Sequence, residues 1–216
     1  MKHMKRQTMP KNWPVPRKGK KFVVRPNSSS ENGLPILIIL RDFLGITKTR
    51  KEVKKALHAK NILINGRNVR DEKNTAVLFD VITIIPSKKN YRVELTENGK
   101  FKVSEIKPTE ASTKIAKIVD KKILKGKKVQ LNLSDGKNTL YDKKCSTGES
   151  VVIELKTKKV EKVLPLKVKS KVLVYAGKHA GKQGNVDSID EKNKMVIVND
   201  GKTKTNILIK QIMVLE

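Results

Sequence analysis

The sequence predicts an α+β, β-rich fold preceded by a basic, disordered N-terminal arm. Three observations carry this. Nine Lys/Arg fall in the first thirty residues, and the first acid is Glu31. Two segments of helical period and an Asn-Gly hairpin follow, up to about Ile85. From Pro86 onward the chain is a succession of short β-branched runs broken by turn residues.

The arm comes first. An acid-free segment repels itself, and Trp13, Phe22 and a few valines are too little apolar surface for a core. Residues 1–30 are therefore expected to stay unfolded until a polyanion neutralises them. Nucleic acid suits that role, because phosphates gain Lys/Arg contacts while condensed counterions are released. The whole chain shares the bias: 49 Lys+Arg against 21 Asp+Glu in 216 residues, a formal charge of +28. Asn27-Ser28-Ser29-Ser30-Glu31-Asn32-Gly33 reads as a polar hinge that ends the arm.

Pro35 suits a first helical turn and Gly45 a stop, which makes 35–44 a mostly buried helix. Thr49-Arg50-Lys51-Glu52 is a capping box that opens a second helix running to about Lys60. On it Val53, Ala56 and Leu57 face inward, with Lys51, Lys54, Lys55 and His58 toward the other side. Ile62–Val69 is a hairpin whose Asn65-Gly66 supplies the positive φ of a type I′ turn, and Val81–Ile85 closes this compact module.

Strands are then expected at Tyr91–Leu95, Phe101–Val103, Val129–Leu133, from Asp135-Gly136 to Leu140, and at Val151–Leu155. Ile115–Leu124 fits a helical stripe as well as a strand, and its β-branched content favours β. After Leu164-Pro165-Leu166 come Val172–Tyr175, Val186–Ile189, Met195–Val198 and Ile207–Ile209, with Asp200-Gly201 as a turn. The expected division is an arm (1–33), a helix–helix–hairpin domain (34–93), a β-rich central domain (94–166) and a last block of strands (167–216).

Several function classes lose support at this stage. The single cysteine, Cys145, excludes an intramolecular disulfide framework and any Cys-based zinc cluster. His3, His58 and His179 are too scattered to form a metal site, so neither metal nor cofactor is expected. No apolar run approaches the ~18 residues that span a bilayer. The first residues lack the apolar stretch of a secretory signal. A cytoplasmic protein without a membrane or small-molecule partner is expected.

Within the arm, His3-Met4-Lys5-Arg6-Gln7-Thr8-Met9-Pro10-Lys11-Asn12-Trp13 follows the pattern His-x-Lys-Arg, three residues, Pro, two residues, Trp. This resembles the N-terminal signature of the archaeal and eukaryotic small-subunit ribosomal protein family called S-four-e. Gln7 departs from it, since the family usually has an apolar residue there. The resemblance extends over essentially the whole chain. Residues 34–93 resemble the S-four-type RNA-binding module, whose contacts cluster on the second helix and the hairpin. Carried onto this sequence, those places hold Lys48, Thr49, Arg50, Lys51, Lys54, Lys55, Asn65, Arg67 and Arg70. Gln130–Asn138 resembles the family's central strand and turn, with Ser134 where a histidine is common.

Val174–Val186 is similar to the KOW motif of ribosomal proteins and elongation factors, which implies a small C-terminal β-barrel. Gly177, Gly181 and Gly184 allow a tight loop, and Lys178, His179 and Lys182 bring donors to where backbone N–H groups meet phosphate. The spacing is not a Walker loop: Gly177 and Gly181 are one residue too close, and Gln183 stands where Ser or Thr would hold magnesium. In the arm the expected RNA contacts are His3, Lys5, Arg6, Trp13, Arg17, Lys18, Lys20, Lys21 and Arg25. Trp13 serves equally well to stack on a base or to cover an apolar patch.

The implied function is a structural constituent of the small ribosomal subunit that binds rRNA beside neighbouring ribosomal proteins. An RNA-modifying enzyme is the main alternative, but after residue 93 no cofactor loop and no nucleophile–base pair stands out, so no catalytic residue is assigned. A transcription or translation factor built on the KOW block is the other. All eight arginines lie at or before Arg92. Arg offers a planar fork and Lys a point charge, so shape-specific recognition is expected in the arm and the helix–hairpin domain.

Overall fold

The computed structural model describes residues 3–141, 143, 145–190, 192–201 and 203–215. The part of the expected arm at Met1 and Lys2 lies outside them. The chain divides into two compact units: one runs to Glu94 and adds Lys100–Ser112, the other takes Leu95–Gly99 and everything from Thr113.

The first unit corrects the expectation of a disordered arm. Strand β1 (Met4–Lys5) pairs antiparallel with β2 (Phe22–Val23). The intervening loop folds onto its own carbonyls. Arg6 Nε donates to Lys20 O at 2.8 Å and its Nη1 to Pro16 O, while Arg17 Nη2 donates to Met9 O at 3.1 Å. Met9 and Trp13 are each only 2% exposed, and the Trp13 indole N–H donates to Ser30 O at 3.0 Å. The Asn12 carbonyl accepts from Phe101 N at 2.9 Å. Lack of acids rules out ion pairs but not hydrogen bonds; guanidinium groups find backbone acceptors, and two apolar anchors supply burial.

Strand β3 (Gly33–Pro35) leads into helix α1, whose first turn Ile36–Ile38 is α-helical and whose remainder, Ile39–Phe43, widens to π geometry. Leu34 through Leu40 are buried, as a run with no polar side chain requires. Helix α2 (Arg50–His58) starts on the expected capping box: Glu52 N donates to Thr49 Oγ1 at 3.3 Å, and Thr49 N to Glu52 Oε2 at 3.4 Å. Val53 and Leu57 face the core. It ends two residues short of Lys60, which adopts a left-handed φ of 57°.

Strands β4 (Ile62–Ile64) and β5 (Arg67–Asn68) form the Asn65-Gly66 hairpin. Strand β6 (Thr75–Val77), not foreseen from sequence, pairs with β3. With β7 (Val81–Ile84), β8 (Lys89–Leu95) and β9 (Phe101–Ile106), the hairpin completes a five-stranded sheet in the order β5-β4-β7-β8-β9.

The second unit is all β. Strand β10 (Thr113–Ile123) settles the ambiguous stretch as a strand of eleven residues. With β11 (Val129–Leu133), β12 (Asn138–Leu140), β13 (Ser150–Glu154) and β14 (Val160–Leu164) it forms a sheet ordered β12-β11-β10-β13-β14. Ala116, Ile118, Leu131, Leu133, Val151 and Ile153 make its core. Strands β15 (Lys171–Val174), β16 (Gln183–Asp190), β17 (Met195–Asn199), β18 (Lys204–Leu208) and β19 (Ile212–Val214) form the last sheet, ordered β18-β17-β16-β15-β19. Period-two alternation buries Val172, Val174, Val186, Val196 and Val198 in this sheet's core.

Two lysines of β10 are buried too: Lys114, which pairs with Asp135 at 2.7 Å, and Lys117. Lys117 is 3% exposed, and its ammonium donates to Ile212 O at 2.7 Å and to Ile209 O. Burial lowers its pKa to about 8.

Candidate nucleic-acid interface

On α2, Lys51, Lys54, Lys55 and His58 recur at i, i+3, i+4 and i+7 and are all exposed, opposite buried Val53 and Leu57. Lys48 and Thr49 stand at the helix start, where Thr49 is occupied by capping. Arg50 and Lys54 converge on one buried acid. Arg50 Nε donates to Glu72 Oε1 at 2.8 Å, its Nη2 reaches the same oxygen, and Lys54 Nζ lies 3.7 Å from Oε2. The Glu72 side chain is 3% exposed, yet those of Arg50 and Lys54 are 56% and 51% exposed. An internal carboxylate thus ties the α2 cations to the segment that directly follows Arg70. Arg67 and Arg70 are exposed and have no acidic partner among the described residues.

Asn65 belongs elsewhere. It is 6% exposed; its Nδ2 donates to Asp80 Oδ1 at 2.7 Å and its Oδ1 accepts from Val81 N at 3.0 Å. With a φ of 50° it locks the hairpin turn, because Asn tolerates the left-handed region and bonds its own surroundings. The expectation that it contacts RNA is replaced by a positioning role for β4 and β5.

In the arm, His3, Lys5, Arg17, Lys18, Lys20, Lys21 and Arg25 are exposed. The His3 ring tilts over Phe22 with centroids 5.6 Å apart, and Lys21 Nζ sits 5.6 Å from the same ring. Arg6 spends its guanidinium on closing the loop. Trp13 is buried and hydrogen-bonded, so of its two expected uses this structure carries the packing one.

In the last sheet's loop, Lys178 is exposed, and His179 and Lys182 are half-buried. Three backbone N–H groups of the loop are already used: Ala180 N donates to Gly177 O, Gly181 N to Val174 O at 2.7 Å, and Lys182 N to His179 O. Gly181 has a φ of 93°, and a Cβ on it would lie 1.8 Å from Thr96 O. It is required for close packing as much as for conformation.

Sequence reasoning missed Glu72. Its signal was faint: an Asp71-Glu72 pair in a cation-rich module, with nothing local to show that it is buried. Among the described residues no group of His, Cys, Asp and Glu is placed to hold a metal ion, and no helix is long and apolar enough to cross a membrane.

Comparison with known proteins bears on this arrangement. Residues 87–160 match the model of ribosomal family S4e, and residues 1–28 that of the RS4NT (NUC023) domain. The chain is 38% identical over 190 residues to the small ribosomal subunit protein eS4 of Methanocella arvoryzae, covering 87% of this chain and 80% of that one. To the eS4 of Nanoarchaeum equitans it is 35% identical over 192 residues, covering 87% and 82%. The crystal structure of the 30S ribosomal protein S4e from Thermoplasma acidophilum superposes with a TM-score of 0.73 at 22% identity, covering 85% of this chain and 95% of that one. That likeness speaks to the fold.

Proposed function

Because the chain belongs to ribosomal family S4e, we propose that it holds small-subunit rRNA through three basic surfaces, as a cytoplasmic constituent of the small ribosomal subunit. Membership in this family makes it a structural, non-enzymatic component and sets the RNA-modifying alternative aside. The surfaces are the arm (His3, Lys5, Arg17, Lys18, Lys20, Lys21, Arg25), the α2–hairpin face (Lys48, Arg50, Lys51, Lys54, Lys55, Arg67, Arg70) and the loop of Lys178, His179 and Lys182. We read residues 34–93 as an S-four-type module, 94–166 as the central domain and 167–216 as a KOW domain, with neighbouring ribosomal proteins as further partners.

The observation that carries this reading is the α2–hairpin face. Two exposed cations of α2, Arg50 and Lys54, share the buried Glu72 carboxylate from the segment after Arg70, and Arg67 and Arg70 have no acidic partner among the described residues. Such a face matches phosphate contacts by Lys and bidentate ones by Arg. Paired titrations test it. Arg67→Lys with Arg70→Lys keeps charge and removes the fork, so affinity for cognate small-subunit rRNA should fall while bulk RNA binding holds. Lys51→Gln with Lys55→Gln should weaken both and flatten the salt dependence by roughly 0.7–0.9 per lost contact. Parent-like cognate binding by both variants would refute the placement.

A further inference from the structure

We propose a fourth RNA contact that no motif announces: the tip of the β10–β11 hairpin, which inserts into a groove of base-paired RNA. Residues 121–128 read Lys-Lys-Ile-Leu-Lys-Gly-Lys-Lys, with five lysines and no acid. The tip of the hairpin lies past the core of its sheet, with the half-buried Val129 the last of its side chains packed against that core. The hairpin's buried members end at Ile118 on β10 and begin again at Leu131 on β11. A bulge at Val119 marks the point where β10 leaves β13 and pairs with β11 alone. The turn closes with Leu124 N donating to Lys128 O at 2.8 Å.

Beyond Asp120, an exposed acid whose carboxylate accepts from Lys121 N at 2.8 Å, the exposed side chains are lysines and one isoleucine. Lys121, Lys122, Lys125 and Lys128 are exposed. Lys121 Nζ is held at Cys145 O, 3.0 Å away; Lys122, Lys125 and Lys128 have no acidic partner among the described residues. Amid them Ile123 is 73% exposed, more than any other large apolar side chain described. It pairs across the hairpin with Val129.

A run of lysines is commonly a solvated face, and then it has no reason to carry a bare isoleucine at its end. An acidic protein surface would satisfy the lysines, but RNA satisfies both features. The wide, shallow minor groove of A-form RNA admits a two-stranded ribbon between two rows of phosphates. Lysines at the end of β10 and in the turn reach the backbones, and the isoleucine packs on ribose faces. The inference rests on the rRNA-binding reading above and adds a site in the region to which the sequence assigned none.

The test is titration of full-length protein with small-subunit rRNA and with an unrelated RNA duplex. The variants are Ile123→Ser, Lys122→Gln with Lys125→Gln, and Arg67→Gln with Arg70→Gln as a reference on the other proposed face. Ile123→Ser changes no charge and removes an already exposed side chain, so the free protein should keep its thermal midpoint. Its affinity for rRNA should fall about tenfold, the equivalent of ~1.4 kcal/mol. The lysine pair should lower affinity and reduce the salt slope by roughly 0.9 per contact, the duplex value. Parent-like rRNA binding by Ile123→Ser overturns insertion, whatever the lysines do. So does a loss seen only in binding to an acidic ribosomal protein. If the arginine reference alone is inert while the tip variants lose affinity, the helix–hairpin face fails and the tip stands.

Discussion

Glu72→Gln separates aiming from mere attraction on the helix–hairpin face. The substitution removes a negative charge 2% exposed and raises the formal charge of +28 by one. Field strength alone therefore favours tighter binding to every RNA. The geometry points the other way for the cognate one. Glutamine keeps one acceptor for Arg50, but turns an amide N–H₂ toward the other cation, Lys54. Bonds to a buried charge are worth about 1.5–3 kcal/mol. More than half of each cationic side chain is solvent-screened, which trims the expected loss of protein stability to ~1–2 kcal/mol. A released Arg50 then has to be immobilised on RNA, at ~0.5–1.5 kcal/mol. Cognate affinity should thus drop about two- to tenfold while bulk RNA binds equally or slightly more tightly. The assay is fluorescence anisotropy on folded protein with both RNAs at several salt concentrations, with Glu72→Asp as a partial rescue. Parallel tightening on both RNAs would mean that Glu72 restrains these cations, and the aiming argument would be wrong.

The arm gives the next test: Trp13→Ala should cost ~3 kcal/mol and expose residues near Ser30 to limited proteolysis, and an unchanged digestion pattern would refute its anchoring role. Gly181→Val should abolish the close approach to Thr96 and destabilise the second unit, whereas Lys182→Ala should leave the thermal midpoint near parental; equal midpoints would make the loop a plain linker. Lys117 is depressed to about 8 from an ordinary 10.5. Between these values the unfolded chain binds the extra proton, so this group's contribution to stability rises with pH from about 8 to about 10.5, by up to ~3 kcal/mol. Urea titrations should show that Lys117→Met flattens this rise, and an identical pH profile would mean the buried ammonium is not the cause.

What could be read from the sequence was whatever local chemistry decides. The capping box at Thr49 and Glu52 formed as expected, because both partners lie within one helical turn. The Asn65-Gly66 turn followed from its φ demand, and β10 from the crowding of Ile115, Ile118, Val119 and Ile123. What escaped depended on distant partners. The arm is ordered by carbonyls at Pro16, Lys20 and Ser30 and by Phe101, and charge composition carries no trace of those acceptors. Strand β6 has only three residues, too few for a period to register, and exists because β3 lies beside it. Asn65 shows the same limit at the site: a polar residue at a loop tip looks like a contact until its partners, Asp80 and Val81, are brought under it.

In the arm the guanidinium groups of Arg6 and Arg17 rest on neutral carbonyls, so these bonds cancel none of its positive charge. An ordinary salt bridge loosens as electrolyte is added; this segment should do the reverse, tightening as ions damp the mutual repulsion of its nine Lys/Arg within a Debye length of about 10 Å at 0.1 M. Dilute buffer is then the harsher environment for it. A dense polyanion would act as a local concentrated electrolyte, stiffening the very segment it attracts.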